Sequence, residues 1–123
     1  MLCSILISNY NKSDYIINCI NSCINQSYKN IEIIFSDNSS TDDSLKKVYN
    51  YKNVKVLNTP RVNNFSATNQ IEVLLKAFEH SKGDFIFFLD ADDFFELKKI
   101  ETIINIMLEK NYDFVCDIPK LIF

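Results

Sequence analysis

Three aspartates at the end of an apolar segment are the residues that most directly indicate chemistry. In FIFFLDADD, residues 85–93, five apolar residues precede Asp90, Asp92 and Asp93. Alternate side chains of an extended backbone share a face, so we expect Asp90 and Asp92 to point together and Asp93 to point away. Two carboxylates about 4 Å apart repel by roughly 4 kcal/mol near a protein surface, and a cation relieves this. The pattern favours magnesium or manganese, which bind few carboxylates plus water and phosphates.

The same acids have a structural alternative. The second and third could cap a helix predicted over residues 96–110, with the first merely ending a strand. Capping explains one acid better than three, so we favour the metal site. For Asp42 and Asp43, in the capping-box-like SSTDDS, we favour capping.

The chain around these acids alternates short apolar strands with amphipathic helices. Strands are predicted at residues 2–8, 31–36, 54–58 and 85–89. Apolar residues recur at helical spacing at Ile16, Ile20, Cys23 and Ile24, at Leu45, Val48 and Tyr49, at Ile71, Leu74, Leu75 and Phe78, and at Leu97, Ile100, Ile104, Met107 and Leu108. The order predicts one α/β domain over residues 1–123, an open and mostly parallel sheet with helices on both faces. YDFVCDI, after the last helix, is interpreted as a further strand.

Glycine is scarce, and this excludes some sites. We expect Ser66 to cap the third helix and Gly83, the single glycine, to stop it. The dinucleotide fingerprint and the Walker P-loop both need several glycines, so both are excluded.

Polar residues follow three of the four predicted strands. They are Ser8, Asn9, Tyr10 and Asn11 after the first, Asp37, Asn38, Ser39 and Ser40 after the second, and the three aspartates after the fourth. Ligands of open parallel sheets bind beyond the carboxyl ends of the strands, so we expect these residues to share one site.

The composition of the chain limits which binding partners are expected. The net charge is −3, from 13 basic and 16 acidic residues without a basic stripe, so nucleic acid is not an expected partner. No signal peptide and no run of about 18 apolar residues occurs, and we expect a soluble cytoplasmic chain without a transmembrane segment. Cys3, Cys19, Cys23 and Cys116 lack zinc spacing and are expected to be reduced thiols. His80, the single histidine, is expected at a helix end. A serine or cysteine hydrolase needs a histidine as its general base, so this class of enzyme is not expected.

The run CSILISNYNKSDYIINCINSCINQSYKNIEIIFSDNSSTDDS, followed by GDFIFFLDADD, resembles the nucleotide-sugar-binding half of the family 2 glycosyltransferases, with the Rossmann-like GT-A fold. The resemblance extends from Cys3 to about Asp93. An isolated D-x-D is a weak signal, whereas the ordered series is a strong one. The resemblance implies a metal-dependent transferase that moves a sugar from a nucleoside diphosphate, UDP by default, to an acceptor, usually with inversion.

The resemblance also assigns residues to the donor. It implies that Asn9 and Asn11 lie beside the nucleoside, that Asp37 accepts a hydrogen bond from the base, and that Asp90 lies near the ribose. The manganese or magnesium ion that bridges the diphosphate would bind Asp92. The full set implied for the nucleotide sugar is Asn9, Tyr10, Asn11, Asp37, Asn69, Asp90 and Ala91.

Several positions depart from the family pattern. Thr68 stands where the family often has arginine, Phe65 where it has glycine, and Ser8 where proline is common. Arg61, in the preceding loop, is a candidate replacement for the missing arginine. An ordinary exposed arginine is an equal alternative at this stage.

The acceptor side is expected to lie outside the chain. The resemblance implies that the acceptor site and the general base come from a segment beyond residue 123, so we expect a truncated unit and assign no catalytic base. The acceptor could be a glycan, a lipid-linked sugar or a protein. The apolar end IPKLIF makes self-association an expectation.

Three rival functions remain open from the sequence. A nucleotide-sugar-binding fragment without turnover would have the same pocket. A magnesium-dependent phosphatase of the haloacid dehalogenase type also uses D-x-D, but after its first strand. A response-regulator receiver likewise needs its acids after the first strand and ranks lowest.

Overall fold

The computed structural model describes residues 1–122, whose centre is a four-stranded parallel sheet. The strands are β1 (Cys3–Asn9), β2 (Ile31–Asp37), β3 (Val54–Asn58) and β4 (Phe85–Asp90), in the spatial order β3-β2-β1-β4. All four predicted strands are confirmed within one residue at each end. The register pairs Asn9 with Asp37 and Ser8 with Asp90, so the carboxyl ends of β1, β2 and β4 meet at one edge.

Helices cover both faces of the sheet, as predicted. They are α1 (Ile16–Ile24), α2 (Ser44–Val48), α3 (Ser66–Glu79) and α4 (Lys99–Lys110). Residues Cys3, Ile5 and Ile7 of β1 pack in the main core with side chains of α1, α2 and α4. On the other face, Leu6 packs in a smaller cluster with side chains of β2 and α3. Alternation along β1 therefore buries both of its faces.

The buried face of α3 differs from the predicted one. Asn69, Val73 and Ala77 are buried, whereas Ile71 and Leu75 are more than half exposed. The reason is that Asn69 serves the loop before the helix: its Oδ1 accepts from Val62 N at 2.8 Å, and its Nδ2 donates to two backbone carbonyl oxygens. A polar residue satisfied by the backbone thus sets the rotation of the helix.

The ends of α3 also correct the prediction. Phe65 occupies the N-cap without a side-chain hydrogen bond, and Ser66 is already the first helical residue. The helix ends at Glu79 with His80 at its C-cap, as expected for the histidine. Gly83 lies beyond the helix, where a Cβ would come within 2.4 Å of Ser4 Oγ and 2.6 Å of Ser4 N. The glycine therefore permits close contact with β1.

The chain after β4 is less regular than predicted. The helix α4 begins at Lys99 and buries Ile100 and Ile104, whereas Leu97 and Leu108 are exposed. Residues 112–118 form no strand, since none of the four strands pairs with them. Phe123, the last residue of the predicted domain, lies outside the described residues. Within residues 1–122, none of the helices has the length and apolarity needed to cross a bilayer.

Candidate functional site

Two polar turns form the first half of the site, and we name residues 9–11 and 37–42 the amide rim. Asn38 N donates to the carbonyl oxygen of Asn9 at 2.9 Å, which continues the pairing of β1 with β2 past the strand ends. Asn11 has a left-handed backbone with φ 52°, which asparagine tolerates. Its Oδ1 accepts from Thr41 N at 2.8 Å, so each turn braces the other.

Asp37 is the buried anchor of the amide rim. Its carboxylate accepts from Asn9 Nδ2 at 2.7 Å, from Ser40 Oγ at 2.7 Å and from Ser40 N at 2.8 Å. The residue is fully buried, at 0% exposure. Charge-assisted hydrogen bonds are the strong ones, so this carboxylate fixes the orientation of the Asn9 amide.

Asp42 closes the outer end of the amide rim. It accepts from Ser13 N at 3.0 Å and from Ser44 N at 3.0 Å. Desolvation opposes its ionisation, but the hydrogen bonds from Ser44 and Ser13 outweigh desolvation and lower the pKa of Asp42. The predicted structural role of Asp42 is therefore confirmed. Asp43 occupies the predicted N-cap position of α2, but its side chain makes no capping hydrogen bond there.

Residues 90–93 form the second half of the site, which we name the acidic turn. Asp93 N donates to Asp90 O at 2.9 Å, so the chain turns directly after β4. One carboxylate oxygen from each of Asp90, Asp92 and Asp93 lies within 4.8 Å of the others. The expectation that Asp93 points away is wrong, because strand alternation ends at Asp90. Capping is also wrong for these acids, since Lys98 is the N-cap of α4.

Neighbouring side chains hold the acidic turn in place. Ser8 Oγ donates to Asp90 Oδ1 at 2.8 Å, and Gln70 Nε2 donates to the same oxygen at 2.5 Å. Lys12 Nζ lies 2.9 Å from Asp92 Oδ2. The hydrogen bond to Asp92, followed by the attraction of its charge, raises the pKa of Lys12. Desolvation and then the carboxylates of Asp92 and Asp90 raise the pKa of Asp93.

A cavity of about 470 Å³ lies between the amide rim and the acidic turn. Seven of the eight predicted donor-site and metal residues line it; the exception is Asp37, which lies beneath the surface. The seven are Asn9, Tyr10, Asn11, Asn69, Asp90, Ala91 and Asp92. Thr68 is exposed and lies outside the lining, so it does not act in place of the family's arginine.

Arg61 supplies a cation to this cavity. Its Cζ lies 3.8 Å from the centroid of the Tyr10 ring, and its Nη1 donates to Asn38 Oδ1 at 3.0 Å. A guanidinium stacked on an aromatic ring is pre-organised, with little side-chain freedom left to lose on binding an anion. Arg61 is therefore a built part of the cavity and not a free surface arginine.

Sequence reasoning missed four other lining residues. They are Lys12, Ser66, Gln70 and Val73, and Asn38 was recognised only as a residue after a strand. Lys12 and Gln70 directly follow Asn11 and Asn69, so adjacency to the predicted residues was the available signal. Ser66, Gln70 and Val73 lie on the same face of α3 as Asn69, so helical spacing from Asn69 was a second available signal.

The acidic turn fits a divalent cation by its donor set. All three residues are exposed and offer hard carboxylate oxygens, which magnesium and manganese prefer. The cysteines offer no competing thiolate site. All four are unpaired, three are buried, and burial raises the pKa of Cys3 to about 12.

Comparison with known sequences decides the family. The sequence model described as Glycosyl transferase family 2 matches residues 4–123. This chain belongs to glycosyl transferase family 2. The match extends past Asp93, where the motifs that carry the resemblance end. It also removes the phosphatase and receiver alternatives, both of which place their acids after the first strand.

Two bacterial relatives of this family 2 chain illustrate the match. An uncharacterised glycosyltransferase of Haemophilus influenzae is 39% identical over 95% of this chain and 49% of its own length. The Escherichia coli UDP-Glc:alpha-D-GlcNAc-diphosphoundecaprenol beta-1,3-glucosyltransferase WfaP is 38% identical over 86% of this chain and 41% of its own length. The chain thus spans about half the length of these relatives or less.

Solved structures confirm the GT-A type of fold for this family 2 chain. S. aureus TarS 1-349 in complex with UDP superimposes with a TM-score of 0.73 at 24% identity, over 90% of this chain and 33% of the TarS chain in that structure. A mannosyltransferase from Pyrobaculum calidifontis, in complex with GDP-Man and Mn²⁺, gives a TM-score of 0.61 at 19% identity, over 76% of this chain and 28% of its own. These likenesses concern the fold.

Proposed function

We propose that this family 2 chain binds a nucleoside-diphosphate sugar together with a divalent cation and provides the donor half of a glycosyltransferase. The observation that carries the proposal is the cavity that unites the amide rim and the acidic turn at the carboxyl edge of the sheet. A rigid polar surface and a cluster of acids in one cavity of this size suit a ligand with a polar ring at one end and a charged diphosphate at the other.

The nucleoside lies against the amide rim in this proposal. Asn9 and Asn11 both line the cavity. Asn9 is buried with its amide held by Asp37, and Asn11 is exposed with its amide held by Thr41. Tyr10 is 40% exposed, with Arg61 over its ring, and offers a flat apolar surface. Asp37 acts by orienting Asn9, since its own carboxylate has no exposed surface.

The diphosphate lies between the acidic turn and Arg61. Asp92, with Asp90 and Asp93 nearby, would hold manganese or magnesium. When bound, such an ion stabilises the charge that grows on the diphosphate leaving group. Arg61 takes the role of the arginine missing at Thr68, because its guanidinium faces the cavity from the opposite loop.

The donor is proposed to be a UDP-sugar. WfaP carries UDP-Glc in its name, and TarS was solved with both UDP and UDP-GlcNAc. The acceptor side and the general base are proposed to come from the part of the relatives' length that this chain does not span. No residue lining the cavity is assigned as that base, because the acids present are committed to the donor and its cation. An inverting outcome is part of the same proposal.

Titration of UDP with and without Mn²⁺ tests the proposal. For the wild type we expect binding that strengthens with Mn²⁺. In Asp92→Asn the Mn²⁺-dependent gain should fall by about tenfold or more, as it does when a metal site loses a supporting group. Asp113→Asn, a change of the same charge at an exposed residue after α4, serves as the control and should bind like the wild type.

The outcomes separate binding from transfer. Binding of UDP that is independent of Mn²⁺ and unaffected by Asp92→Asn would contradict the metal assignment. Hydrolysis of UDP-sugars by the wild type, followed as release of UDP, distinguishes a turnover-competent chain from the binding fragment. Binding without any release of UDP supports the fragment alternative.

A further inference from the structure

Lys12, in the turn after β1, is a cation that contacts the acidic turn after the neighbouring strand β4. It follows Asn11, and its Nζ lies 2.9 Å from Asp92 Oδ2, so it neutralises the residue proposed to bind the metal. Both side chains are partly exposed, at 46% and 37%, and both line the cavity. Within residues 1–122, this is the single ion pair made by the three acids of the turn.

We propose that Lys12 is a tethered counter-cation, which a divalent ion displaces from Asp92 and which then binds the donor's diphosphate. This inference rests on the proposed function and adds a residue that the resemblance did not assign. Three carboxylates and one ammonium leave a net charge of −2 at the turn. A divalent ion in place of the ammonium leaves −1, so it neutralises the three carboxylates more fully than Lys12 does. An ammonium and a divalent ion on the same carboxylate repel each other, so one of them must leave.

The side chain of Lys12 is suited to such a displacement. Lysine is a compact charge on a flexible four-carbon stem, and an exposed pair is held by little energy. Its contact is with one oxygen of one acid, whereas Asp90 is held by both Ser8 and Gln70. The ammonium is therefore the mobile partner and the acidic turn is the fixed one.

The released ammonium stays in the cavity because the backbone on both sides of Lys12 is fastened. Asn11 N donates to Ser40 Oγ at 2.9 Å, and Ser13 N donates to Asp42 Oδ2 at 3.0 Å. A diphosphate between Arg61 and the acidic turn is the anion within reach of that charge. Lys12 therefore opposes the metal in the empty cavity and supports the nucleotide in the filled one.

Two binding measurements, for which we expect affinity changes in opposite directions, test this role. Binding of Mn²⁺ alone is followed by the electron paramagnetic resonance of free Mn²⁺, and binding of UDP at saturating Mn²⁺ by calorimetry. For Lys12→Gln we expect Mn²⁺ to bind about threefold to tenfold tighter and UDP to bind about fivefold weaker, as for loss of a partly exposed charge. Lys12→Arg keeps the charge and should keep both affinities near those of the wild type.

A matched control separates this role from a general effect of charge. Lys52→Gln removes the same charge at an exposed residue before β3, at the amino end of the strands. It should leave both affinities unchanged. Equal Mn²⁺ affinities for Lys12→Gln and Lys52→Gln would overturn the displacement, and unchanged UDP binding in Lys12→Gln would overturn the diphosphate contact.

The test also distinguishes failure of this inference from failure of the proposed function. A wild type that binds Mn²⁺ and UDP, beside a Lys12→Gln variant indistinguishable from it, overturns the inference alone. A wild type that binds neither ligand overturns both. Thermal unfolding of each variant verifies that the affinities compare folded proteins.

Discussion

The amide rim and the acidic turn line the same cavity but are built in opposite ways. In the rim, the carboxylate of Asp37 is fully buried and accepts three hydrogen bonds from Asn9 and Ser40. In the turn, Asp90, Asp92 and Asp93 are exposed and crowd their carboxylates within 4.8 Å. One region satisfies its charge internally, and the other leaves a net negative charge facing the cavity.

The difference indicates what each region contributes to binding. A satisfied polar network holds one geometry and costs little to organise when a ligand arrives. Crowded exposed carboxylates repel one another, and this repulsion is relieved only when a cation is bound. We infer that the amide rim provides shape, whereas the acidic turn provides charge. Substitution of one acid in each region should therefore change stability in opposite directions.

The largest expected effect is the loss of stability in Asp37→Ala. Removing this carboxylate leaves Asn9 Nδ2 and Ser40 N buried without their charged acceptor, and we expect the free energy of unfolding to fall by about 3 kcal/mol. Urea unfolding measures the loss. Asp37→Asn, which keeps an acceptor oxygen, should lose less. Equal stability of Asp37→Ala and the wild type would remove the distinction between the two regions.

A smaller effect, dependent on pH, is expected for Asp42→Ala. Because hydrogen bonds lower the folded-state pKa of Asp42, its stabilisation is present above the ordinary value of about 3.9 and is lost as the pH falls through the folded-state pKa. We expect the variant to lose about 1 kcal/mol at pH 7, as for loss of a capping side chain. The deficit should shrink when unfolding is measured near pH 3.

Asp43→Ala is the control for that measurement. Asp43 makes no side-chain cap bond, so its replacement should change stability by no more than about 0.5 kcal/mol at either pH. A deficit in Asp42→Ala that stays constant with pH would contradict the role given to the ionised carboxylate.

The smallest effect is a gain of stability in Asp93→Asn. Desolvation and the neighbouring acids raise the folded-state pKa of Asp93, so its ionised form costs stability at neutral pH. The cost is absent below the pKa that Asp93 has in the unfolded state, and it is complete above the pKa that Asp93 has in the folded state. We expect the variant to be more stable at pH 7 by less than about 1 kcal/mol and to match the wild type near pH 3. A loss of stability at pH 7 would show instead that the ionised Asp93 stabilises the folded protein, like the hydrogen-bonded acids of the amide rim.

The sequence was sufficient for the sheet and for most of the cavity. Short apolar runs between polar turns have few alternatives to parallel strands, and parallel strands bring their carboxyl ends together. That argument alone placed Asn9, Asn11, Asp90 and Asp92 around one cavity. It required no knowledge of side-chain contacts.

Features that depend on individual side-chain contacts could not be predicted from the sequence. The rotation of α3 depends on Asn69 bonding to the backbone of the loop before it, which an apolar pattern does not reveal. The convergence of Asp93 with the other acids depends on a turn over residues 90–93, where strand alternation assumed an extended backbone. The contact of Lys12 with Asp92 joins residues 80 positions apart through a flexible stem.

The central place of β1 also sets an order of assembly. Asn9 meets Asp37 across 28 residues, whereas Ser8 meets Asp90 across 82. Closing the longer loop costs more chain entropy, and during synthesis β4 is the last of the four strands to emerge. The amide rim can therefore close while the acidic turn is still unmade, and under the proposed function binding of Mn²⁺ requires the complete sheet.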